Sequence, residues 1–177
     1  MENILKLSAS QIGKAINLGK VCPIELTEAY LDKITLYPNS QSIFTTLTAD
    51  IALKQATASK LRVKNNTMLS LLDGVPISWK DLFDISGFST EAGSKLLKGV
   101  NPIEDASVIK SATKAGIISL AKTHMTELAF SGLGVNPVTE TPENSINPKL
   151  APGGSSSGAA VSVALNLVAG AVGSDTG

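Results

Sequence analysis

Three consecutive serines stand in a glycine-rich loop toward the end of this sequence, at positions 155–157. The loop spans residues 152–158 and reads PGGSSSG. Because glycine adopts backbone conformations that other residues avoid, such a loop can bring N–H groups and hydroxyls close to a small polar ligand. A second glycine-rich turn, GSDTG, follows at residues 173–177. We expect the two turns to belong to one site.

The loop has part of the pattern of a phosphate-binding P-loop. Gly153 and Gly158 have the required spacing. Ala159 and Ala160, however, occupy the positions where that motif has its lysine and its serine or threonine, the residues that hold phosphate and Mg²⁺. A nucleotide site of this kind is therefore excluded.

The same loop also fits the G-x-S-x-G pattern of a nucleophile elbow. That pattern would make Ser156 the nucleophile. An elbow of this type needs a histidine later in the chain, whereas the single histidine, His124, precedes the loop. The elbow is therefore the weaker interpretation of the serines.

A lysine offers another way to activate a serine. Lys80 follows the mostly apolar residues 75–79, and a lysine desolvated in such surroundings has a lowered pKa, so its neutral amine can act as a base. The alternative is a solvated charge at a strand end, paired with Asp81 or Asp84, since lysine is seldom buried. For the serines, the alternative is a flexible polar loop. The residues by themselves leave these alternatives open.

The composition argues against several classes of function. Lys and Arg total 15, as do Asp and Glu, so there is no basic stripe and we expect no direct nucleic-acid partner. The longest apolar run, residues 159–172, is shorter than the roughly 20 residues of a membrane span and should be a buried core element. Cys22 is the single cysteine, so an internal disulfide is excluded. One cysteine and one histidine, His124, cannot by themselves form a Cys/His zinc site. Since residues 1–8 also lack the pattern of a secretory signal, we expect a cytoplasmic protein without a metal or other cofactor and without membrane contact.

The N-terminal part of the chain carries mainly helical signals. Ser8 and Gln11 form a capping-box pattern, and Pro23 stands in the first turn of a second helix. A strand is expected at residues 43–47 and a further helix at residues 49–63. We expect residues 1–68 to form an N-terminal helical segment that packs on the core.

Strands and helices alternate from residue 69 onward. Residues 75–79 predict a strand that places Lys80 at its end, and residues 117–121 predict a second, buried strand. The remaining expected elements are a helix at residues 105–115, a helical start at 123–130 and a long loop at 132–158. This alternation predicts an α/β fold with residues 69–177 as the core domain.

Three blocks of the sequence resemble the amidase signature family. Residues 74–81 (GVPISWKD) resemble its lysine strand, residues 122–131 (KTHMTELAFS) resemble the block that lines its substrate channel, and residues 152–177 match the signature itself. The similarity covers essentially everything from Gly74 onward. It implies an α/β fold in which helices cover a mixed β-sheet, and it identifies the chain as a truncated, N-terminal part of such a protein, incomplete at its C-terminus.

The resemblance implies a Ser-Ser-Lys triad. Lys80 matches the family's general base, and Ser155 matches the bridging serine, which the family holds with a cis peptide bond and which relays a proton between the lysine and the nucleophile. The nucleophilic serine would fall two residues beyond Gly177. Thr176 and Gly177 match positions whose N–H groups begin the oxyanion hole, where donors stabilise developing negative charge.

The resemblance also places further residues around the triad. They are expected to line the substrate channel or to support the serine loop: Ala129, Ser131, Gly154, Ser156 and Asp175. Asp175 either orients the serine loop by a hydrogen bond or caps a turn, and Ser131 either orients the triad or only ends a helix. His124 stands where the family usually has Asn, so we expect a surface or hydrogen-bonded structural histidine without a catalytic role.

Two enzymatic functions within the family fit these residues. The favoured one is a hydrolytic amidase that cleaves a small-molecule carboxamide through an acyl-enzyme, because residues 126–134 resemble hydrolytic amidases more closely. The alternative is the A subunit of a tRNA-dependent amidotransferase, which frees ammonia from glutamine for partner subunits. The resemblance allows a homodimer in the first case. A hypothesis of another class is an inactive truncated fragment with a structural or partner-binding role.

Overall fold

The computed structural model describes residues 1–175, in which helices and strands alternate. Helices cover a mixed four-stranded sheet, which confirms the predicted α/β class. In chain order the elements are α1 (Ala9–Asn17), α2 (Pro23–Leu36), β1 (Phe44–Leu47), α3 (Ala49–Asn65), β2 (Pro76–Lys80), α4 (Ser107–Lys114), β3 (Ile118–Thr123), α5 (Ser157–Ala164) and β4 (Ala171–Val172).

The first two helices begin where their sequence signals predict. Ser8 caps α1, with its hydroxyl accepting from the Gln11 N–H while the Gln11 side chain accepts from the Ser8 N–H, so the predicted capping box is confirmed. Pro23 occupies the first turn of α2, where its missing N–H costs no hydrogen bond. Both helices bury an apolar face in the core, including Ile12 and Leu26.

The sheet brings the ends of three strands to one edge. Its strand order is β1-β3-β2-β4; β2 runs parallel to both β3 and β4, and β1 runs antiparallel to β3. Every residue of β2 and β3 is buried, as expected for central strands covered on both faces. Because β2, β3 and β4 are parallel, Lys80, Thr123 and Val172 end at the same edge of the sheet, where α/β proteins usually bind ligands.

The segment before residue 69 contributes a strand as well as helices. The strand expected at residues 43–47 is β1, and it pairs with β3 at Phe44↔Thr123 and Leu47↔Ala121. The Arg62 guanidinium at the end of α3 binds both carboxylate oxygens of Asp73, at 2.7 and 2.8 Å. These contacts tie the N-terminal segment to the loop that leads into β2.

The helical start expected at residues 123–130 is wrong. Strand β3 continues through Thr123, and only a short 3-10 turn, Glu127–Ala129, follows. Leu128 and Ala129 have φ values of 50° and 60°, which a right-handed helix does not allow. The segment is instead held by long-range backbone bonds, since the Thr126 N–H donates to Ser155 O and the Leu128 N–H donates to Ala92 O.

The apolar run at residues 159–172 is only partly buried, with several of its residues half-buried or exposed, and it forms two elements rather than one. Helix α5 ends at Ala164, Asn166 turns the chain with a φ of 54°, and β4 follows. The Lys33 ammonium of α2 donates to the carbonyls of Leu165 and Asn166, so two carbonyl groups directly after α5 receive hydrogen bonds. Among residues 1–175, no helix is both long and apolar enough to cross a membrane.

Candidate active site

Lys80 ends β2 and is completely buried. Its ammonium nitrogen Nζ lies 2.6 Å from the Ser155 hydroxyl and 2.8 Å from the Ser174 hydroxyl. The alternative of a solvated lysine paired with Asp81 or Asp84 is wrong, because Lys80 is buried against the two hydroxyls and the Asp81 carboxylate pairs with Lys122 at 2.7 Å. Lys80 therefore points into the protein, toward the two glycine-rich turns.

The surroundings of Lys80 favour its neutral form. Burial lowers the pKa of Lys80 below the usual lysine range, and the negative charge of Asp175 opposes that shift. The two serine hydroxyls are partners that can donate to a neutral amine or accept from an ammonium. Lys80 can therefore release and take up a proton within hydrogen-bond distance of Ser155.

Backbone hydrogen bonds hold the serine loop in place. The N–H groups of Gly153 and Gly154 donate to the carbonyls of Leu133 and Gly132, at 3.1 and 2.9 Å. On the other side, Ser155 O accepts from the Thr126 N–H at 3.0 Å. The peptide bond between Gly154 and Ser155 is cis, in agreement with the family resemblance. Ser155 is thus fixed between the end of β3 and the long loop.

One glycine allows the two halves of the long loop to approach each other. Gly134 has a φ of 79°, and a Cβ at this position would overlap the carbonyl oxygen of Gly153. No side chain fits in that space without moving the backbone. The serine loop therefore depends on glycine at position 134 for its contact with residues 132–134.

The second glycine-rich turn lies directly beside the serine loop. Because β4 pairs in parallel with β2, the turn after β4 comes next to Lys80. The Ser156 hydroxyl spans the backbone of Ser174, accepting from its N–H and donating to its carbonyl, both at 3.3 Å. As far as Asp175, the two turns therefore lie side by side, and both contact Lys80.

A cavity of about 540 Å³ opens next to this pair of turns, within the size range of small-molecule sites. Ser131 lies in its wall, where its hydroxyl accepts from the Leu133 N–H at 3.3 Å and its carbonyl accepts from the Thr126 hydroxyl at 3.1 Å. Its hydroxyl thus caps a local turn. The lining residues are Ala129, Phe130, Ser131, Gly132, Gly154, Ser155, Ser174 and Asp175.

The structure brings most of the predicted site residues together. Ala129, Ser131, Gly154, Ser155 and Asp175 share the cavity wall, and Lys80 reaches it through Ser155. Ser156 supports the neighbouring turn. Thr176 and Gly177 lie outside the described residues.

Sequence reasoning missed Ser174 and did not single out Phe130. Ser174 is the second hydroxyl partner of Lys80, and its only sequence signal is its place in the same turn as Asp175. Phe130 is 93% exposed at the cavity mouth and belongs to the block that resembles the family's channel. Most of its ring therefore faces away from the protein interior.

His124 is a structural residue. It is only 8% exposed, and its Nε2 lies 3.0 Å from Gln41 O. Burial lowers its pKa, so the neutral form is favoured. This agrees with the expectation of a hydrogen-bonded histidine and not with a surface position.

Comparison with known proteins gives the class of protein to which this fold and site belong. The sequence model of the amidase family matches residues 25–177, so the chain belongs to the amidase family, whose members are C–N hydrolases. It is 37% identical, over 177 residues, to the A subunit of glutamyl-tRNA(Gln) amidotransferase from Thermobifida fusca (strain YX). That match covers the whole chain but 36% of the relative, so the chain spans about a third of its length.

Solved structures show the same relationship. A protein described as an amidase superimposes with a TM-score of 0.83 at 30% identity, covering 96% of this chain and 39% of that one. The peptide amidase of Stenotrophomonas maltophilia superimposes with a TM-score of 0.81 at 29% identity, covering 91% of this chain and 34% of that one. The fold described above is therefore that of amidase signature enzymes, of which this chain covers about a third.

Proposed function

We propose that this chain carries the base and the proton relay of an amidase that hydrolyses a small-molecule carboxamide. The observation that supports this most directly is the 2.6 Å contact between Lys80 Nζ and Ser155 Oγ beside the cavity. A base and a hydroxyl at this distance can exchange a proton without further movement. The lowered pKa of Lys80 makes the neutral, proton-accepting amine available.

The proposed first step is an attack by the family's nucleophilic serine, which follows Gly177, on the amide carbonyl. Its proton passes to Ser155 Oγ while the Ser155 proton passes to Lys80 Nζ, so Ser155 returns to its starting state. The N–H groups of Thr176 and Gly177 are proposed to donate to the developing oxyanion. The step leaves a tetrahedral intermediate and a protonated Lys80.

In the second step the C–N bond breaks and the proton held by Lys80 returns through Ser155 to the leaving nitrogen. Ammonia or an amine departs, and an ester with the serine remains. Water then attacks this ester while its proton passes through Ser155 to Lys80, and the same proton returns through Ser155 to the nucleophilic serine as the carboxylic acid leaves. No metal or cofactor is needed in this sequence, since every proton passes between named side chains and substrate atoms.

The other cavity residues are proposed to bind and position the substrate. Ala129, Ser131 and Gly154 line the cavity, and Ser156 holds the turn that carries Ser174 and Asp175. The charge of Asp175 raises the pKa of Lys80 against the effect of burial. We assign Asp175 the task of adjusting the basicity of the lysine and Ser156 the task of positioning.

A second candidate is the A subunit of a tRNA-dependent amidotransferase. The observation that favours it is the identity of 37% over the whole chain to the A subunit of glutamyl-tRNA(Gln) amidotransferase. In this case the same relay would release ammonia from glutamine for partner subunits. Ammonia release from glutamine that increases when candidate partner subunits are added would favour this function over the hydrolytic one.

The test of the shared chemistry uses the complete gene product and measures ammonia release from glutamine and from a panel of aliphatic and aromatic carboxamides. Lys80→Met and Ser155→Ala should each lower kcat about 10²–10⁴-fold, the usual contribution of acid–base groups. The matched controls are Lys98→Met and Ser145→Ala, which change exposed residues. A Lys80→Met variant that keeps the full rate would rule out lysine as the base.

A further inference from the structure

A second buried lysine lies close to the site on the neighbouring strand. Lys122, on β3, is 0% exposed, and its register partner on β2 is Trp79, the residue before Lys80. Its ammonium contacts the Asp81 carboxylate at 2.7 Å, the Ser89 carbonyl at 2.6 Å and the Thr90 hydroxyl at 2.8 Å. Two hydrogen bonds and one ion pair therefore surround this buried ammonium.

Asp81 is held in place through both its carboxylate and its backbone. One carboxylate oxygen binds Lys122 and the other accepts from the Glu91 N–H at 3.2 Å. The Asp81 N–H donates to Thr123 O at 3.1 Å, and the Asp81 carbonyl accepts from the Ala92 N–H at 3.0 Å. The residue directly after Lys80 is therefore fixed on all sides.

The loop that Asp81 and Lys122 hold also supports the cavity wall. Ala92, at the end of this loop, has a φ of 45°, and its carbonyl accepts from the Leu128 N–H at 2.9 Å. Leu128 directly precedes Ala129, which lines the cavity. The Asp81–Lys122 ion pair is thus connected to Lys80 through the backbone of Asp81, and to the cavity wall through Ala92 and Leu128.

We propose that the Asp81–Lys122 pair is a positioning device for the reaction, which fixes the backbone at Lys80 and, through residues 89–92, the cavity wall at Leu128 and Ala129. The inference rests on the proposed function, since it takes Lys80 as the base. Neither Asp81 nor Lys122 contacts the cavity in this arrangement; they act through the residues they hold. Small displacements of a reacting group are costly, because a shift of about 1 Å can reduce a rate about 100-fold.

The exchange Lys122→Met in the complete gene product tests this proposal. Methionine keeps the unbranched shape and removes the charge, so kcat should fall at least about tenfold, because the displaced base acts on the reaction step, and a rise in KM would report the displaced cavity wall. Rates are measured well below the unfolding midpoint of each variant, so that all molecules are folded. A Lys122→Met variant with the kcat of the unaltered protein would overturn the proposal.

A double variant separates positioning from stability. Lys122→Met leaves a buried carboxylate without its partner, whereas Asp81→Asn/Lys122→Met removes both charges and should restore much of the lost stability. We expect kcat to stay low in the double variant, because the ammonium no longer holds Ser89 and Thr90. Recovery of kcat together with stability would overturn the proposal, since the pair would then matter only for folding.

Two further variants separate a failure of the positioning proposal from a failure of the proposed function. Lys110→Met removes the lysine of an exposed ion pair of similar length, Lys110–Glu104 at 2.8 Å, and should leave kcat unchanged. Lys80→Met, measured in parallel, reports on the proposed function itself. If Lys80→Met is inactive while Lys122→Met keeps its kcat, the positioning proposal alone fails; if Lys80→Met is active, the proposed function fails.

Discussion

Lys80 Nζ and Ser155 Oγ lie 2.6 Å apart although 75 residues separate them in the chain. The contact forms because Lys80 ends a central strand and the loop before α5 returns to the same edge of the sheet. Ser174 reaches the same nitrogen from the turn after β4. One buried amine therefore joins the two glycine-rich turns of the sequence.

The pH dependence of the reaction should follow the ionisation of Lys80. Because burial lowers the pKa of Lys80 and only the neutral amine accepts a proton, kcat/KM should rise with pH along a limb below the ordinary lysine pKa of about 10.4. The charge of Asp175 opposes the lowering, so Asp175→Asn should move this limb to lower pH. The pH–rate profiles of both proteins provide the measurement.

The remote exchange Asp32→Asn is the control for this shift and should leave the limb in place. A limb that stays where it was in Asp175→Asn, or that moves to higher pH, would contradict the assignment of Lys80 as the titrating base.

Ser174 should contribute to the rate through its hydrogen bond to Lys80. Ser174→Ala removes the 2.8 Å contact to Lys80 and leaves Ser155 as the remaining hydroxyl partner of Lys80 within residues 1–175. A net hydrogen-bond contribution of about 1–1.5 kcal/mol corresponds to a loss in kcat of about tenfold. Ser174→Thr keeps the hydroxyl and should retain most of the rate, and equal rates in the alanine and threonine variants would contradict this role.

Gly134→Ala should destabilise the serine loop. The added Cβ would overlap the Gly153 carbonyl oxygen, and the φ of 79° disfavours any residue with a side chain. Forcing a methyl group into such a space costs about 1–3 kcal/mol, so the thermal unfolding midpoint should fall. Gly132→Ala is the matched control in the same loop, because its Cβ meets no atom within 4 Å apart from its chain neighbours. Equal midpoints for the two variants would show that the close approach is unimportant.

The ion pair between Arg62 and Asp73 should make stability depend on pH. Burial alone would raise the pKa of the Asp73 carboxyl, but hydrogen bonds from Arg62 and the Leu69 N–H, with the Arg62 charge, lower it. Since the folded pKa lies below the unfolded value of about 3.9, this stabilisation is present at higher pH and is lost as the pH falls through and below about 4.

Asp73→Asn should therefore lower the free energy of unfolding by about 1–3 kcal/mol at pH 7. Urea unfolding of the complete gene product at pH 7 and near pH 3 provides the measurement, and the difference from the unaltered protein should shrink at the lower pH. Asp50 is exposed, and Asp50→Asn is the control for the loss of one carboxylate charge. A difference that is the same at both pH values would contradict the linkage.

Local signals predicted much of the fold. The capping box at Ser8 and Pro23 at the start of α2 act within a few residues of sequence, so their structural effect follows from the residues alone. The strand that ends at Lys80 follows from a similarly short pattern. The prediction of a helix after Thr123 is wrong because the backbone groups of that segment bind Ile43, Ala92 and Ser155, which no local pattern reveals.

The sequence by itself determined which residues are candidates for the chemistry, because the spacing of a lysine strand, a channel block and a serine loop is a property of the chain. It also determined the α/β class, since alternating apolar strands and helices have few ways to bury their faces. Only the tertiary structure decided that Ser174 is a second partner of Lys80 and that Asp81 binds Lys122. Both contacts join different strands or turns, and their formation depends on the pairing of β2 with β3 and β4, which becomes definite when the sheet assembles.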